Sequence, residues 1–126
     1  PVDEMNQALG DLEKFIHTST EIPVLARAAM IHYQFEALHP FLDGNGRVGR
    51  LLITLYLVSR GILKQPVLYL SDFFERNRQL YYDNLMRVQE KNDLLQWFRF
   101  FLVGVIETAK SSTATFAPPC SKATAR

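Results

Sequence analysis

Apolar residues in this chain recur every third or fourth position, and nowhere does an in–out alternation run beyond four or five residues. A helix turns once per 3.6 residues, so this spacing gathers apolar side chains on one face, whereas a half-buried strand needs a period of two. The rhythm predicts an all-α protein built as a bundle of short helices. The first candidate is DEMNQALGDLEKFIH, with Met5, Leu9, Leu12, Phe15 and Ile16 on a stripe and Asp3 as its cap. Gly10 weakens it by about 1 kcal/mol relative to alanine, so packing must hold the segment. TSTEIP, residues 18–23, reads as a connection. A second helix runs from about Ile22 to Leu38, with Pro23 in its first turn, where a missing N–H has no partner to lose. Pro40 ends that helix by biasing His39 toward an extended backbone. A third helix opens near Gly46, with Val48, Leu51, Leu52, Leu55 and Val58 on one stripe and Gly61 as its C-terminal glycine.

Beyond it, ILKQPVLYLS is a loop or short extended link. Ser71 or Asp72 caps a helix from Phe73 that breaks near Asn77, and another helix follows from about Arg78 to Lys91. DLLQ, an acidic cap followed three residues later by glutamine, opens a last helix ending about Lys110. The small polar run that follows reads as a loose tail. The expected organisation is one core over residues 1–110 and a flexible tail over 111–126. Fourteen basic and thirteen acidic side chains give a net charge of +1, so no global basic field recruits nucleic acid. The longest apolar run, LLITLYLV, is far too short to span a membrane. Cys120 is the single cysteine, which excludes an internal disulfide. With no secretion-type segment after Pro1, the expectation is a cytoplasmic protein, and one of which this chain is a piece.

The chemistry concentrates in HPFLDGNGRVGR, residues 39–50. Asn-Gly makes two-residue hairpins, but the flanks MIHYQFEAL and LLITLYLV fit helices. Gly44, Gly46 and Gly49 spell G-x-G-x-x-G, yet that dinucleotide fingerprint works only after a strand in a βαβ unit. As a site the stretch makes better sense. A helix beginning near Gly46 offers unpaired N–H groups and the positive end of its dipole. Gly44 and Gly46 admit a bulky anion. Arg47 and Arg50, three apart, share one face of the first turn, where ordinary helix design would place acids instead. That local conflict suits linked phosphates. Asp43 is a candidate Mg²⁺ ligand beside phosphate oxygens, or else a helix cap or Asx-turn. His39 is the nearby group able to take a proton near neutral pH. His17, at a helix end, and His32, whose spacing suits no zinc site, read as structural.

The dodecapeptide resembles the signature H-x-F-x-[DE]-G-N-G-R-x-x-R of the Fic (filamentation-induced-by-cAMP) family, and every fixed position matches. The flanks AAMIHYQFEALHPF, RNRQLYYDNL and WFRFFLVGVIETA are similar to Fic sequences as well, so the likeness extends over about residues 22–109. The resemblance implies an all-α Fic fold and an adenylyltransferase of the AMP-transferring branch. Such an enzyme moves AMP from ATP to a hydroxyl of a target protein and releases pyrophosphate, with Mg²⁺ as cofactor. It implies His39 as general base, Phe41 as the loop's anchor in the core, and Asp43 as the Mg²⁺ ligand. Gly44, Asn45, Gly46 and Gly49 would belong to the nucleotide site, with Arg47 and Arg50 on the β- and γ-phosphates. Tyr81 and Tyr82 match a nucleoside-contacting tyrosine pair, although helix core is the competing reading for at least one of them. Where some members carry a base-contacting asparagine, this chain has Gln89. Implied partners are ATP, a hydroxyl-bearing target protein and, since family members self-associate, a homodimer. None of the seven glutamates is followed by Gly or Asn, so the inhibitory motif [ST]-x-x-x-E-[GN] is not in this sequence. That element and the target-aligning flap are expected upstream of Pro1. Two alternatives stay open: a nucleotide-binding module without transfer activity, and a Fic enzyme that removes AMP.

Overall fold

The computed structural model describes residues 2–18, 20–64 and 69–116. Among these residues all regular structure is helical, and six helices follow one another: α1 (Val2–His17), α2 (Val24–Leu38), α3 (Asn45–Ser59), α4 (Leu70–Arg76), α5 (Arg78–Lys91) and α6 (Leu94–Phe116). They group into two compact units, residues 1–67 with α1 to α3 and residues 68–126 with α4 to α6, where composition and length suggested one core. No helix among the described residues is long and apolar enough to cross a membrane.

In the first unit α2 packs on both α1 and α3. Leu12, Ala28, Ala29, Ile31, Phe35, Ile53, Tyr56 and Leu57 are its buried apolar residues. A buried guanidinium ties the unit together. Arg27 donates to Tyr56 Oη at 2.8 Å, to Thr20 Oγ1 and Thr18 O at 2.6 Å each, and to Phe15 O. Its Cζ lies 4.4 Å from the centroid of the Phe15 ring. A charge this deeply buried is tolerated because its donors are satisfied; here they fasten the α1–α2 connection to α3.

The second unit is an aromatic cluster. Phe73 and Phe74 of α4, Tyr81 of α5 and Trp97, Phe100 and Phe101 of α6 are all buried. Phe74 stacks on Tyr81 at 4.5 Å between centroids. At Gly104 of α6 an added Cβ would lie 2.6 Å from the Phe73 ring, so this glycine is what lets α4 approach.

Several boundaries differ from the sequence reading, each for a local reason. Asp3 lies inside the first turn of α1 rather than capping it, where its charge still meets the helix dipole. Pro23 stands just before α2, with ψ at 146°. Ser71 and Asp72 fall within α4, which starts at Leu70. The break at Asn77 and the start of α5 at Arg78 are as expected. So is the cap of α6, where Asp93 Oδ1 accepts the Gln96 N–H at 3.2 Å. That helix continues to Phe116, past the end expected near Lys110. Most of the expected tail, residues 117–126, and residues 65–68 of the α3–α4 link lie outside the described residues. Gly61, at φ 77°, closes α3 with paired bonds, Ile62 N–H to Leu57 O and Gly61 N–H to Val58 O, both 3.0 Å.

The largest correction concerns α3. Val48, Leu51 and Leu55 are exposed, and the buried face is Asn45, Gly49, Ile53, Thr54, Tyr56 and Leu57. Two of those inward residues, Asn45 and Gly49, carry no hydrophobicity to read. They face inward because one pins the preceding loop and the other lets α2 come close.

Candidate functional site

The site begins where α2 ends. His39 adopts the left-handed conformation, φ 49° and ψ 57°, and not the extended one that Pro40 suggested. Proline disfavours the right-handed region for its predecessor. The left-handed one satisfies that restriction and also lets the His39 N–H close α2 on Phe35 O at 3.1 Å. A non-glycine residue held there costs about 1–2 kcal/mol. The result is an exposed imidazole at the rim of the loop.

Asn45 holds the loop in shape. It is 4% exposed, and its amide pairs with both polar groups of one peptide unit's neighbours: Oδ1 accepts the Phe41 N–H at 2.9 Å and Nδ2 donates to Phe41 O at 2.7 Å. Its side chain therefore braces the loop from inside. Phe41 is anchored through this backbone pair; its ring is half exposed and tilts against Phe35 at 6.2 Å. The ring borders an open apolar groove of about 560 Å³ with Val2, Met5, Leu9 and Pro40, so burial of Phe41 in the core is corrected to partial contact.

Gly44 precedes α3 with φ 80°, a backbone that glycine adopts freely. The first bond of the helix ladder here is Val48 N–H to Gly44 O at 3.1 Å, which leaves the N–H groups of Asn45, Gly46 and Arg47 ahead of it. Asp43 is exposed, and its Oδ1 accepts the Gly44 N–H at 2.8 Å, so it caps the turn and not the helix. The two arginines fold back over the helix start, as side chains on a helix do. Arg47 Nη2 lies 3.3 Å from where a Cβ on Gly44 would be, and Arg50 Nη1 lies 3.0 Å from where one on Gly46 would be. Two guanidiniums thus lie close against Gly44 and Gly46 at the start of α3.

Gly49 serves a different purpose. A Cβ there would collide with Glu36 Oε1 and sit 3.3 Å from the His32 ring. His32 is fully buried and donates from Nδ1 to Gly49 O at 3.0 Å. Burial, followed in size by the opposing Gly49 hydrogen bond and then the Arg50 charge, brings its pKa down to about 4, so it is neutral near pH 7. Glu36 is the site's neighbour that sequence reasoning passed over, beside His32, which was read as structural and is buried. Their spacing, four apart on one helix and three before His39, was the available signal.

For a divalent cation, no group of three or more His, Cys, Asp or Glu side chains is gathered among the described residues. A lone carboxylate suits Mg²⁺ only in the mode where phosphate oxygens and water complete the octahedron, and the lone carboxylate of this loop is Asp43, whose Oδ1 accepts the Gly44 N–H. Tyr81 and Tyr82 belong to the second unit. Tyr81 is buried in the aromatic cluster, which settles it as core, whereas Tyr82 is half exposed with the Arg78 guanidinium 5.9 Å from its ring. Gln89 is exposed on α5.

Residues 1–57 match the Fic/DOC family model. A probable protein adenylyltransferase of Aquifex aeolicus is 36% identical over 76 residues, 60% of this chain and 21% of its own length. The protein adenylyltransferase Fic of Aedes aegypti is 40% identical over 73 residues, 58% of this chain and 13% of its own. That of Drosophila yakuba is 36% identical over 84 residues, 67% of this chain and 15% of its own. The chain thus spans about a fifth or less of the length of these relatives.

Proposed function

Taking the Fic/DOC match of residues 1–57 as the premise, we propose that this chain carries the nucleotide-handling core of a protein adenylyltransferase. The reaction joins a target hydroxyl oxygen to the α-phosphorus of ATP and breaks the bond to the β-phosphate. Pyrophosphate leaves, and the hydroxyl proton passes to the His39 imidazole. The observation that carries this reading is the pair of guanidiniums seated against Gly44 and Gly46 at the start of α3. Free N–H groups, the helix dipole and two arginines together favour a polyphosphate over a single carboxylate. Arg47 and Arg50 hold the β- and γ-phosphates. Asp43 would hold Mg²⁺, which would supply charge neutralisation for the phosphates. His39, exposed at the rim, meets the incoming hydroxyl. Of the tyrosine pair, Tyr82 is half exposed, while Tyr81 is used in the core of its own unit. Phosphoryl-type transfer depends mostly on positioning and charge stabilisation, and a positioned base adds about 10²–10⁴ in rate.

The test is incubation with ATP and Mg²⁺ followed by intact-mass analysis. An added AMP on the chain or on a protein from its own cell lysate supports the enzyme. His39→Ala should lose the adduct while ATP still protects the chain against thermal unfolding; an undiminished adduct in His39→Ala refutes the base. A second reading is a core that binds nucleotide and does not itself transfer AMP. Protection by ATP without any adduct is its signature.

A further inference from the structure

Glu36 lies in the last turn of α2, and its carboxylate turns into the seam with α3. Oε1 is buried with no hydrogen-bond partner and occupies the space that a Cβ on Gly49 would need. Across the seam, Arg50 Nε is also buried without a partner, while Nη1 of the same side chain reaches back to Gly46. The Arg50 guanidinium therefore has an inner edge in the seam and an outer edge at the free N–H groups of α3. Other groups around Glu36 add little charge. His32, one turn earlier on α2, is neutral near pH 7. Tyr33 is uncharged, its pKa pushed up by burial. Arg50 and, after it, His39 one turn later are the groups whose charge acts on Glu36. Toward this end of α2, α1 presents Val2, Met5, Asn6 and Leu9, none of them charged.

A buried carboxylate oxygen without a donor is costly, and adjacent cations are what keep it ionised. Burial pushes the Glu36 carboxyl above the usual carboxylate range, and Arg50 and then His39 pull it partly back. A polyphosphate at the start of α3 would bring several negative charges to the outer edge of Arg50 and cancel the cation on which Glu36 relies. We propose that Glu36 is a positioning residue of the site: its carboxylate balances Arg50 from the buried side, and a polyphosphate that engages Arg50 drives Glu36 to take up one proton from solvent. This inference rests on the polyphosphate reading of the loop. Binding and protonation are linked reciprocally, so nucleotide affinity rises as pH falls through the range in which Glu36 titrates.

The test is calorimetric titration of the full chain with ATP and Mg²⁺ at pH 7, in two buffers of different ionisation enthalpy. The comparison of buffers yields the protons taken up per nucleotide bound. Glu36→Gln keeps the shape and removes the charge, while the titration of ATP is common to both proteins. Wild type should take up more protons than E36Q, and E36Q should bind ATP on the order of tenfold more tightly with a flatter pH dependence. Equal uptake and equal affinity in both proteins overturn the role of Glu36 alone. Absence of ATP binding in both overturns the polyphosphate reading, and the role of Glu36 with it. Carboxyl ¹³C shifts of wild type give a second reading that requires no variant: the Glu36 resonance should move toward its protonated position when ATP is added, and an unmoved resonance overturns the proposal.

Discussion

Asn45→Ala should loosen the loop without touching any of the charged groups above. The side chain is 4% exposed and makes two good hydrogen bonds, 2.9 Å from the Phe41 N–H and 2.7 Å to Phe41 O. Each such bond contributes about 0.5–1.5 kcal/mol net. The Phe41 backbone is partly exposed, so water recovers some of the loss, while truncation leaves a small void beneath the loop. A loss of about 2 kcal/mol follows, or roughly 8 °C in Tm for a chain of this size. Functionally, the free N–H groups of α3 and the His39 backbone lose their common reference, so ATP affinity should fall although Arg47 and Arg50 remain. Differential scanning fluorimetry with and without ATP reads both effects. Asn45→Asp sharpens the test, because it keeps the acceptor for the Phe41 N–H but sets a carboxylate against Phe41 O. It should therefore destabilise despite placing a negative charge at a helix N-terminus, where the dipole alone would favour one. An Asn45→Asp protein as stable as wild type would refute the brace and leave only the dipole.

Arg27→Ala should cost about 3–5 kcal/mol, because it strands the Tyr56 hydroxyl and the Phe15 and Thr18 carbonyls that the guanidinium satisfies; urea denaturation measures it. His32 has its folded pKa lowered to about 4 from 6.5, so the native state binds fewer protons than the unfolded one between those values. Stability is then full above pH 6.5 and falls as pH drops toward 4, by up to roughly 3 kcal/mol. The raised pKa of Glu36 acts in the opposite sense, so urea midpoints from pH 7 to 4.5 should be compared with those of a His32→Gln protein, whose profile loses the histidine's share. Gly104→Ala should destabilise by about 1–3 kcal/mol through the Phe73 ring, while Gly10→Ala, with nothing within 4 Å of its Cβ, should stabilise by up to about 1 kcal/mol; melting temperatures in opposite directions are the expected result.

The helical class and most element boundaries were legible because they rest on local chemistry. Pro40, Gly61, Asn77 and the Asp93–Gln96 cap each act within one turn of chain, and each marks a helix end in the structure. The cationic helix start was legible for the same reason: Arg47 and Arg50 three residues apart have to share a face. The inward face of α3 was not. Hydrophobicity selected Val48, Leu51 and Leu55, but the seam with α2 is built on Asn45 and Gly49, whose value lies in a fixed backbone and in missing volume.

What the sequence determined by itself, then, is the set of short-range choices: where helices stop, which residues may meet an anion, and how charge is spaced along one turn. Which glycine faces solvent and which faces a neighbouring helix depends on the α2–α3 packing. Gly44 and Gly46 make room for guanidiniums, while Gly49 makes room for a carboxylate from the other helix. In the second unit, the packing of α4, α5 and α6 put Tyr81 among the aromatic rings and left Tyr82 outside, and in the first the closure of α2 turned His39 left-handed. These outcomes depend on atoms brought together from distant positions in the chain, and residue spacing along a single strand of sequence carries no record of them.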